Sequence, residues 1–303
     1  MSRSQSNASV LITHTDLDGI GSAIFAISDN LVQNVYSWKT GFSDYKLLFK
    51  FQIIYVTDLA LPENIIQELI MKKKQVIILD HHESSQYITK FPNCHVNINS
   101  CGTRMFYEQV VSQKNPMRKE FVTLVDLFDR WVEKDKNFSK SCDLERLFES
   151  LVDRELMKKN GIFHLFEKGK ILNSPFTKFI NENIKKMSTC FDAFVFNKLE
   201  NDLITEYKRK ENRDYNNCLE TINFQTDCKN IEFAVYKSFG NVSLIANRIL
   251  RENPNLKYVI IDYGNDRFSA RSKPDFDLLQ LQRLQGHRNS AGGLNVLPIR
   301  YVK

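Results

Sequence analysis

The chain has 303 residues, 42% hydrophobic and 26% charged. That composition excludes a disordered, fibrous or disulfide-stapled protein and leaves room for about two domains. The net charge of +6, from 42 Lys and Arg against 36 Asp and Glu, is too small to mark a nucleic-acid binder by itself. Its placement is uneven: residues 231–303 hold 11 basic and 6 acidic side chains, so the first 230 residues are nearly neutral. The six cysteines, at 94, 101, 142, 190, 218 and 228, form no Cys-x-x-Cys pair or zinc-finger spacing and read as scattered reduced thiols. The apolar run before His14 is too short for a signal-peptide core, and no stretch approaches the ~18 apolar residues of a membrane span. The expected location is cytoplasmic.

Ser9–Thr13 reads as a buried strand, and from Gly19 the spacing of Ile20, Ala23, Ile24 and Ile27 is helical. A second strand runs over 51–57 and stops at Asp58. A helix follows from Leu61 to about Lys74, with Pro62 near its first turn. Gln75–Leu79 is a third apolar run, ending at Asp80-His81-His82. Continuous apolar strands alternating with helices predict a parallel α/β sheet covered on both faces. Ligands collect at the C-terminal edge of such sheets, where Asp16, Asp58 and Asp80 to His82 would all lie.

The stretch 121–219 is Lys/Glu-rich and periodic, predicting helices at about 119–134, 142–158 and 176–210. Phe163, Phe166 and Phe191 fall at helical spacing and read as core, and Lys208–Arg213 reads as a solvated helix face. Strands return at 233–236, 258–262 and 267–271, with helices expected at 242–252 and 276–285. The resulting division is a metal-binding domain over 1–140, a helical connection over 141–228 and a smaller α/β domain over 229–303.

His14-Thr-Asp16-Leu-Asp18-Gly19-Ile-Gly21, on the turn leaving a buried strand, crowds two carboxylates and an imidazole. A divalent cation would compensate that charge. Gly19 and Gly21 are expected to allow a tight turn. Asp58, Asp80-His81-His82, and Asp126 or Asp129 complete a thiolate-free set of oxygen and nitrogen donors, which suits Mn²⁺, with Mg²⁺ or Co²⁺ as alternatives.

On these residues the sequence resembles the DHH phosphoesterase superfamily. His14-x-Asp16-x-Asp18-Gly19 matches its first motif, Asp58 the second and Asp80-His81-His82 the third. Phe268–Ser272 and Gly286–Gly293 match its DHHA1-type accessory domain, with Gln285 where most relatives have glycine. The resemblance implies a parallel-sheet domain, a helical connection and a smaller α/β domain, with the active site in the cleft between them. It further implies two divalent ions: His14 and Asp16 on one, Asp18, His81 and Asp129 on the other, and Asp58 bridging. An Asp-x-Trp pattern selects Asp129 over Asp126. His82 would touch the scissile phosphate, and Asp80 would orient a ligand histidine. Arg271, Ser272, Gly286, His287 and Arg288 would hold substrate, and Arg104, at a helix start, is a further candidate phosphate contact.

The implied activity is metal-dependent cleavage of short single-stranded oligonucleotides or cyclic dinucleotides. The alternatives are a phosphatase or pyrophosphatase for small anions such as phosphoadenosine phosphate, and an inactive nucleotide-binding protein. A nucleotide or short-oligonucleotide substrate, no membrane partner and a homodimer are the expected associations.

Overall fold

The computed structural model describes residues 8–38, 45–158, 162–188, 192–227, 229–264, 267–281, 285–287 and 290–294. They pack as two compact units, residues 1–201 and 202–303.

In the first unit, β1 (Ser9–Thr13), α1 (Leu17–Ser28) and β2 (Asn34–Trp38) are followed by β3 (Ile53–Thr57), α2 (Glu63–Met71) and β4 (Gln75–Asp80). Then come β5 (Cys94–Val96), α3 (Gly102–Gln109), α4 (Pro116–Asp129), α5 (Phe138–Leu151) and α6 (Arg154–Met157). The strands β6 (Ile162–Glu167) and β7 (Lys170–Ile171) and the helix α7 (Thr177–Met187) complete it. The seven-stranded sheet has the order β5-β4-β3-β1-β2-β6-β7, parallel from β5 to β2 and antiparallel at β6 and β7. This is the doubly wound α/β architecture expected from the sequence.

Alternation along the strands divides the interior. Val10, Ile12, Ile54, Val56, Val76 and Ile78 meet Leu61, Ile65, Ile66 and Leu69 at one face. α1 is buried over nearly its whole length, as an apolar helix must be.

Several elements differ from their sequence reading. Phe163 and Phe166 are core residues, but they lie on β6, whose antiparallel register on β2 shifts at Val35/Tyr36; Phe191 lies outside the described residues. The helix expected to reach residue 134 stops at Asp129 because Trp131 takes a left-handed conformation, φ +53°, and Val132 N–H turns back to the Leu127 carbonyl at 2.9 Å. The single helix expected over 142–158 is two, divided at Val152 and Asp153. In place of a helix over 176–210 stand α7 and, after a non-helical segment, α8 (Lys198–Thr221).

The second unit begins within α8, on which Lys208, Arg209, Lys210 and Arg213 are exposed. It continues through β8 (Asn223–Thr226), β9 (Glu232–Lys237), α9 (Val242–Glu252), β10 (Tyr258–Gly264), β11 (Arg267–Ser272), β12 (Gln285–His287) and β13 (Ser290–Leu294). Its sheet order is β12-β13-β11-β10-β9-β8, with its own cores around Tyr236 and Ile249 and around Tyr258 and Phe276. In place of the helix expected over 276–285 there is a 3₁₀ turn, Leu278–Gln280, and the start of β12. Among the described residues no helix is long and apolar enough to cross a membrane.

Candidate metal centre

The order 2-1-3-4-5 makes β1 and β3 the switch point of the sheet, because the chain leaves them in opposite directions. Thr13 is in register with Thr57, and Thr57 with Leu79. The residues that follow these strands, His14 to Asp18, Asp58 and Asp80 to His82, therefore emerge side by side. Hydroxyl contacts level the strand ends: Thr57 Oγ1 donates to Thr13 Oγ1 at 2.9 Å, Thr13 Oγ1 to Gly19 O at 2.8 Å and Ser37 Oγ to His14 O at 2.8 Å.

Asp16 caps α1, its Oδ1 accepting Gly19 N–H at 3.0 Å, while Oδ2 lies 2.8 Å from His14 Nδ1. Gly19 and Gly21 are inside α1, not in a turn as the sequence suggested. A Cβ on Gly19 would stand 2.4 Å from the His14 carbonyl oxygen, so the residue is required by close approach. Asp18 is buried, and its carboxylate accepts Gly102 N–H and Thr103 N–H, each at 2.7 Å. These are free donors of the first turn of α3. The Thr103 hydroxyl donates to Asp18 O. Gly102 fills the space between Asp18 and Asp58, where an added Cβ would lie 2.7 Å from Asp58 N.

Asp58 sits at φ +58°, a left-handed conformation that Asp tolerates better than most residues. Its Oδ1 is 3.1 Å from His81 Nε2, and its Oδ2 is 3.9 Å from His14 Nδ1. His81 Nε2 is also 3.7 Å from Asp18 Oδ2, and His81 Nδ1 is 3.3 Å from Asp129 Oδ2. Donor atoms of His14, Asp16 and Asp58 form one set within 4.8 Å of one another; those of Asp18, His81 and Asp129 form a second, and those of Asp58, Asp80, His81 and His82 a third.

Asp126 stands apart from these sets. Its Oδ1 accepts Cys101 N–H at 2.8 Å and its Oδ2 accepts Arg130 Nη1–H at 3.0 Å. The carboxylate that faces Asp18 and His81 is that of Asp129. Asp80 accepts His82 Nδ1–H at 2.8 Å and His81 backbone N–H at 2.8 Å. It thus orients the ring of His82, where the resemblance implied a ligand histidine.

The electrostatics record the crowding. Burial, then the Asp16 and Asp18 charges, push the Asp58 carboxyl well above its ordinary range. Burial, then Asp18 and Asp16, do the same to Asp129. Burial opposes ionisation of Asp80, but the His82 hydrogen bond and charge outweigh it and hold the carboxyl at about 2. Desolvation of His14 is likewise outweighed by the Asp16 charge, which raises its pKa; Asp16 itself is held low by His14 against desolvation. Asp58 Oδ2 and Asp129 Oδ2 are buried and accept no hydrogen bond among the described residues. Buried anionic oxygens without donors, facing imidazoles within reach, fit a divalent cation. Burial and then the Asp18 charge keep the nearby Cys101 thiol protonated, so the donors are oxygen and imidazole nitrogen, as suits Mn²⁺ or Mg²⁺.

Arg104 Nη2 lies 3.3 Å from Asp126 Oδ2. In the second unit, Arg271 donates to Ala270 O at 2.9 Å and to Ser243 Oγ at 3.2 Å. Ser272 is buried and donates to Phe276 O at 2.7 Å, which turns its hydroxyl inward. Gly286 and His287 lie on β12, and the register places Arg271, Ser290 and His287 in one cross-strand row. Arg288 lies outside the described residues. Gly102, Thr103, Asp126 and Arg130 were not read as a unit from the sequence. The visible signal for them was Ser100-Cys-Gly-Thr103 opening a helix.

The arrangement is that of a doubly wound α/β protein with a metal-type donor cluster at its switch point. No protein-family model and no curated protein matches the sequence. Among solved structures, the pGpG-specific phosphodiesterase PggH from Vibrio cholerae is similar, with TM-score 0.53 and 14% identity over 95% of this chain and 93% of that one. A member of a family of ribosomal proteins, described by its DHH domain, gives TM-score 0.63 and 13% identity over 94% and 82%. RecJ in complex with Mn²⁺ from Thermus thermophilus gives 0.51 and 14%, covering 96% of this chain and 50% of RecJ. The chain shares the fold of these proteins, one of them described as a DHH domain.

Proposed function

We propose that the protein is a metal-dependent phosphodiesterase acting on short single-stranded oligonucleotides or cyclic dinucleotides. The observation that carries this reading is the pair of donor sets, His14 with Asp16 and Asp58, and Asp18 with His81 and Asp129, gathered at adjacent strand ends and the end of α4. The similarity to PggH and RecJ supports the same class of chemistry. His14 and Asp16 would hold one divalent ion, Asp18, His81 and Asp129 the other, with Asp58 shared between them. Mn²⁺ is the leading candidate. Such a pair, when bound, would supply an acidified water and offset charge on the phosphoryl group.

The protein's own groups do the rest. Ionised Asp80 fixes His82 with its proton on Nδ1 toward the carboxylate, leaving Nε2 to hold or deliver a proton at the reacting phosphate. Gly102 and Thr103 N–H hold the Asp18 carboxylate in one orientation. In the second unit, Arg271 on β11 and His287 on β12 are further candidate phosphate-binding residues.

The test is a hydrolysis panel in Mn²⁺, read by mass spectrometry, over di- to pentanucleotides and cyclic dinucleotides. His81→Ala and Asp80→Ala serve as controls. Mononucleotide release or ring opening that both variants lose is expected. Release of phosphate from pyrophosphate or phosphoadenosine phosphate alone would move the protein to the small-anion phosphatases, and tight nucleotide binding without turnover would make it a binding protein.

A further inference from the structure

Two arginines from different helices meet on one carboxylate beside the metal-type cluster. Asp126 is buried on α4, one turn before Asp129. Its Oδ2 accepts Arg130 Nη1–H at 3.0 Å and lies 3.3 Å from Arg104 Nη2. Among the described residues, Asp126 is the one acidic side chain that pairs with either arginine.

A single carboxylate with a backbone N–H already on Oδ1 needs one counter-charge. The second guanidinium leaves the trio with a net positive charge. Each guanidinium carries five donors in a fixed fork, and Asp126 engages only a fraction of them. The two side chains are 27% and 28% exposed, so the remaining donors can reach a solute.

The trio is tied to the cluster through the backbone. Cys101 N–H goes to Asp126, and the next two N–H groups go to Asp18. Asp129, which Arg130 follows directly, faces His81. A group bound by the arginines therefore lies at the rim of the cluster and not within its donor sets.

We propose that Arg104 and Arg130, gathered by Asp126, form a clamp for a second, uncleaved phosphate of the substrate, a terminal phosphomonoester. This rests on the phosphodiesterase reading above. A terminal phosphate carries nearly two negative charges near neutral pH, matching two guanidinium groups, and planar forks bind it through paired hydrogen bonds. Asp126 orients both forks and neutralises only one of their two charges. The clamp makes the protein selective for phosphorylated over hydroxyl ends.

The test compares binding of the dinucleotide ApA with its 5′-phosphorylated form pApA, by calorimetry on the full chain in Ca²⁺. The wild type is expected to prefer pApA by about tenfold or more, the effect of one or two charge-assisted hydrogen bonds. Arg104→Gln and Arg130→Gln, which keep a donor toward Asp126, should each reduce that preference severalfold, lowering pApA affinity more than ApA affinity. Arg104→Lys and Arg130→Lys, which keep the charge and lose the fork, should fall between. A wild type without preference, Gln variants that retain it, or equal losses for both ligands would overturn the clamp. Cleavage is measured separately in Mn²⁺. A chain that cleaves neither dinucleotide but keeps the arginine-dependent preference loses the phosphodiesterase reading alone, and cleavage of both without that preference overturns the clamp alone.

Discussion

Asp58 and Asp129 are the residues at which folding and chemistry oppose each other. Asp58 is buried and Asp129 partly exposed, and both carboxyls are forced above their ordinary pKa, first by desolvation and then by neighbouring aspartates. The folded metal-free chain therefore retains protons that the unfolded chain sheds above about pH 4. Stability from these groups is present below that pH and is lost as pH rises through their elevated folded values. Asp80, held at about 2, works in the opposite sense, contributing above about pH 4 and losing that contribution toward pH 2. Thermal melts of the metal-free protein should show a declining midpoint as pH rises above about 5, and the rise in midpoint on adding Mn²⁺ should grow over the same range. A metal-induced shift independent of pH would contradict this. Asp58→Asn and Asp129→Asn should each raise the metal-free midpoint by about 2–4 °C, the shift 1 kcal/mol produces in a domain of this size. Asp58→Asn should abolish the response to Mn²⁺, and Asp129→Asn should reduce it. Asn keeps the left-handed tolerance that position 58 needs, so a loss of metal-free stability there would count against charge repulsion as the cause.

At the scale of elements, α1 and α4 are clamped at the ends remote from Asp18 and Asp129. Arg118, near the start of α4, meets Asp29, just after α1, through Nη1 at 2.8 Å and Nη2 at 2.7 Å, and both side chains are buried. Arg118→Met should lower stability by about 3–5 kcal/mol in denaturant titration, because it strands a buried charge. A change under about 1 kcal/mol would show that Asp29 finds another partner. The elements most legible in the sequence were β1, β3 and β4, continuous apolar runs whose ends carry the acidic and histidine residues. β2, Asn-Val-Tyr-Ser-Trp, mixes polar and apolar residues without a continuous apolar run and passed unread. β6 lies between the helices expected from the sequence and was not legible as a strand, because Phe163 and Phe166 fall at helical spacing; its pairing with β2, more than a hundred residues earlier, makes it one. The donor residues themselves were legible because their motifs are short. The support from Gly102 and Thr103 was not, because it joins Asp18 to a helix start 84 residues away.

For the whole molecule, every residue of the three donor sets lies in the first unit, and each unit has its own core. A fragment of residues 1–197 should bind Mn²⁺ with the affinity of the full chain, by calorimetry, and cleave oligonucleotides at least about tenfold more slowly, a loss of about 1.4 kcal/mol or more in transition-state binding. Full activity in the fragment would remove any role for the second unit. The charge asymmetry seen in the sequence follows the same division. The nearly neutral first part holds clustered carboxylates, and the basic surplus falls within the second unit, Arg267 and Arg271 of β11 among it.

The strand order also sets a timetable. Because the switch point is built from the first and third strands, and Asp129 is the last member of the donor sets, all of them have been synthesised while more than half the chain is still unmade. β6, which flanks β2, is translated later. Domains fold as units during synthesis, N-terminal first, so an ion can join the nascent centre before the second unit exists and relieve the repulsion among Asp16, Asp18, Asp58 and Asp129 at the stage when the sheet has the fewest strands to hold it.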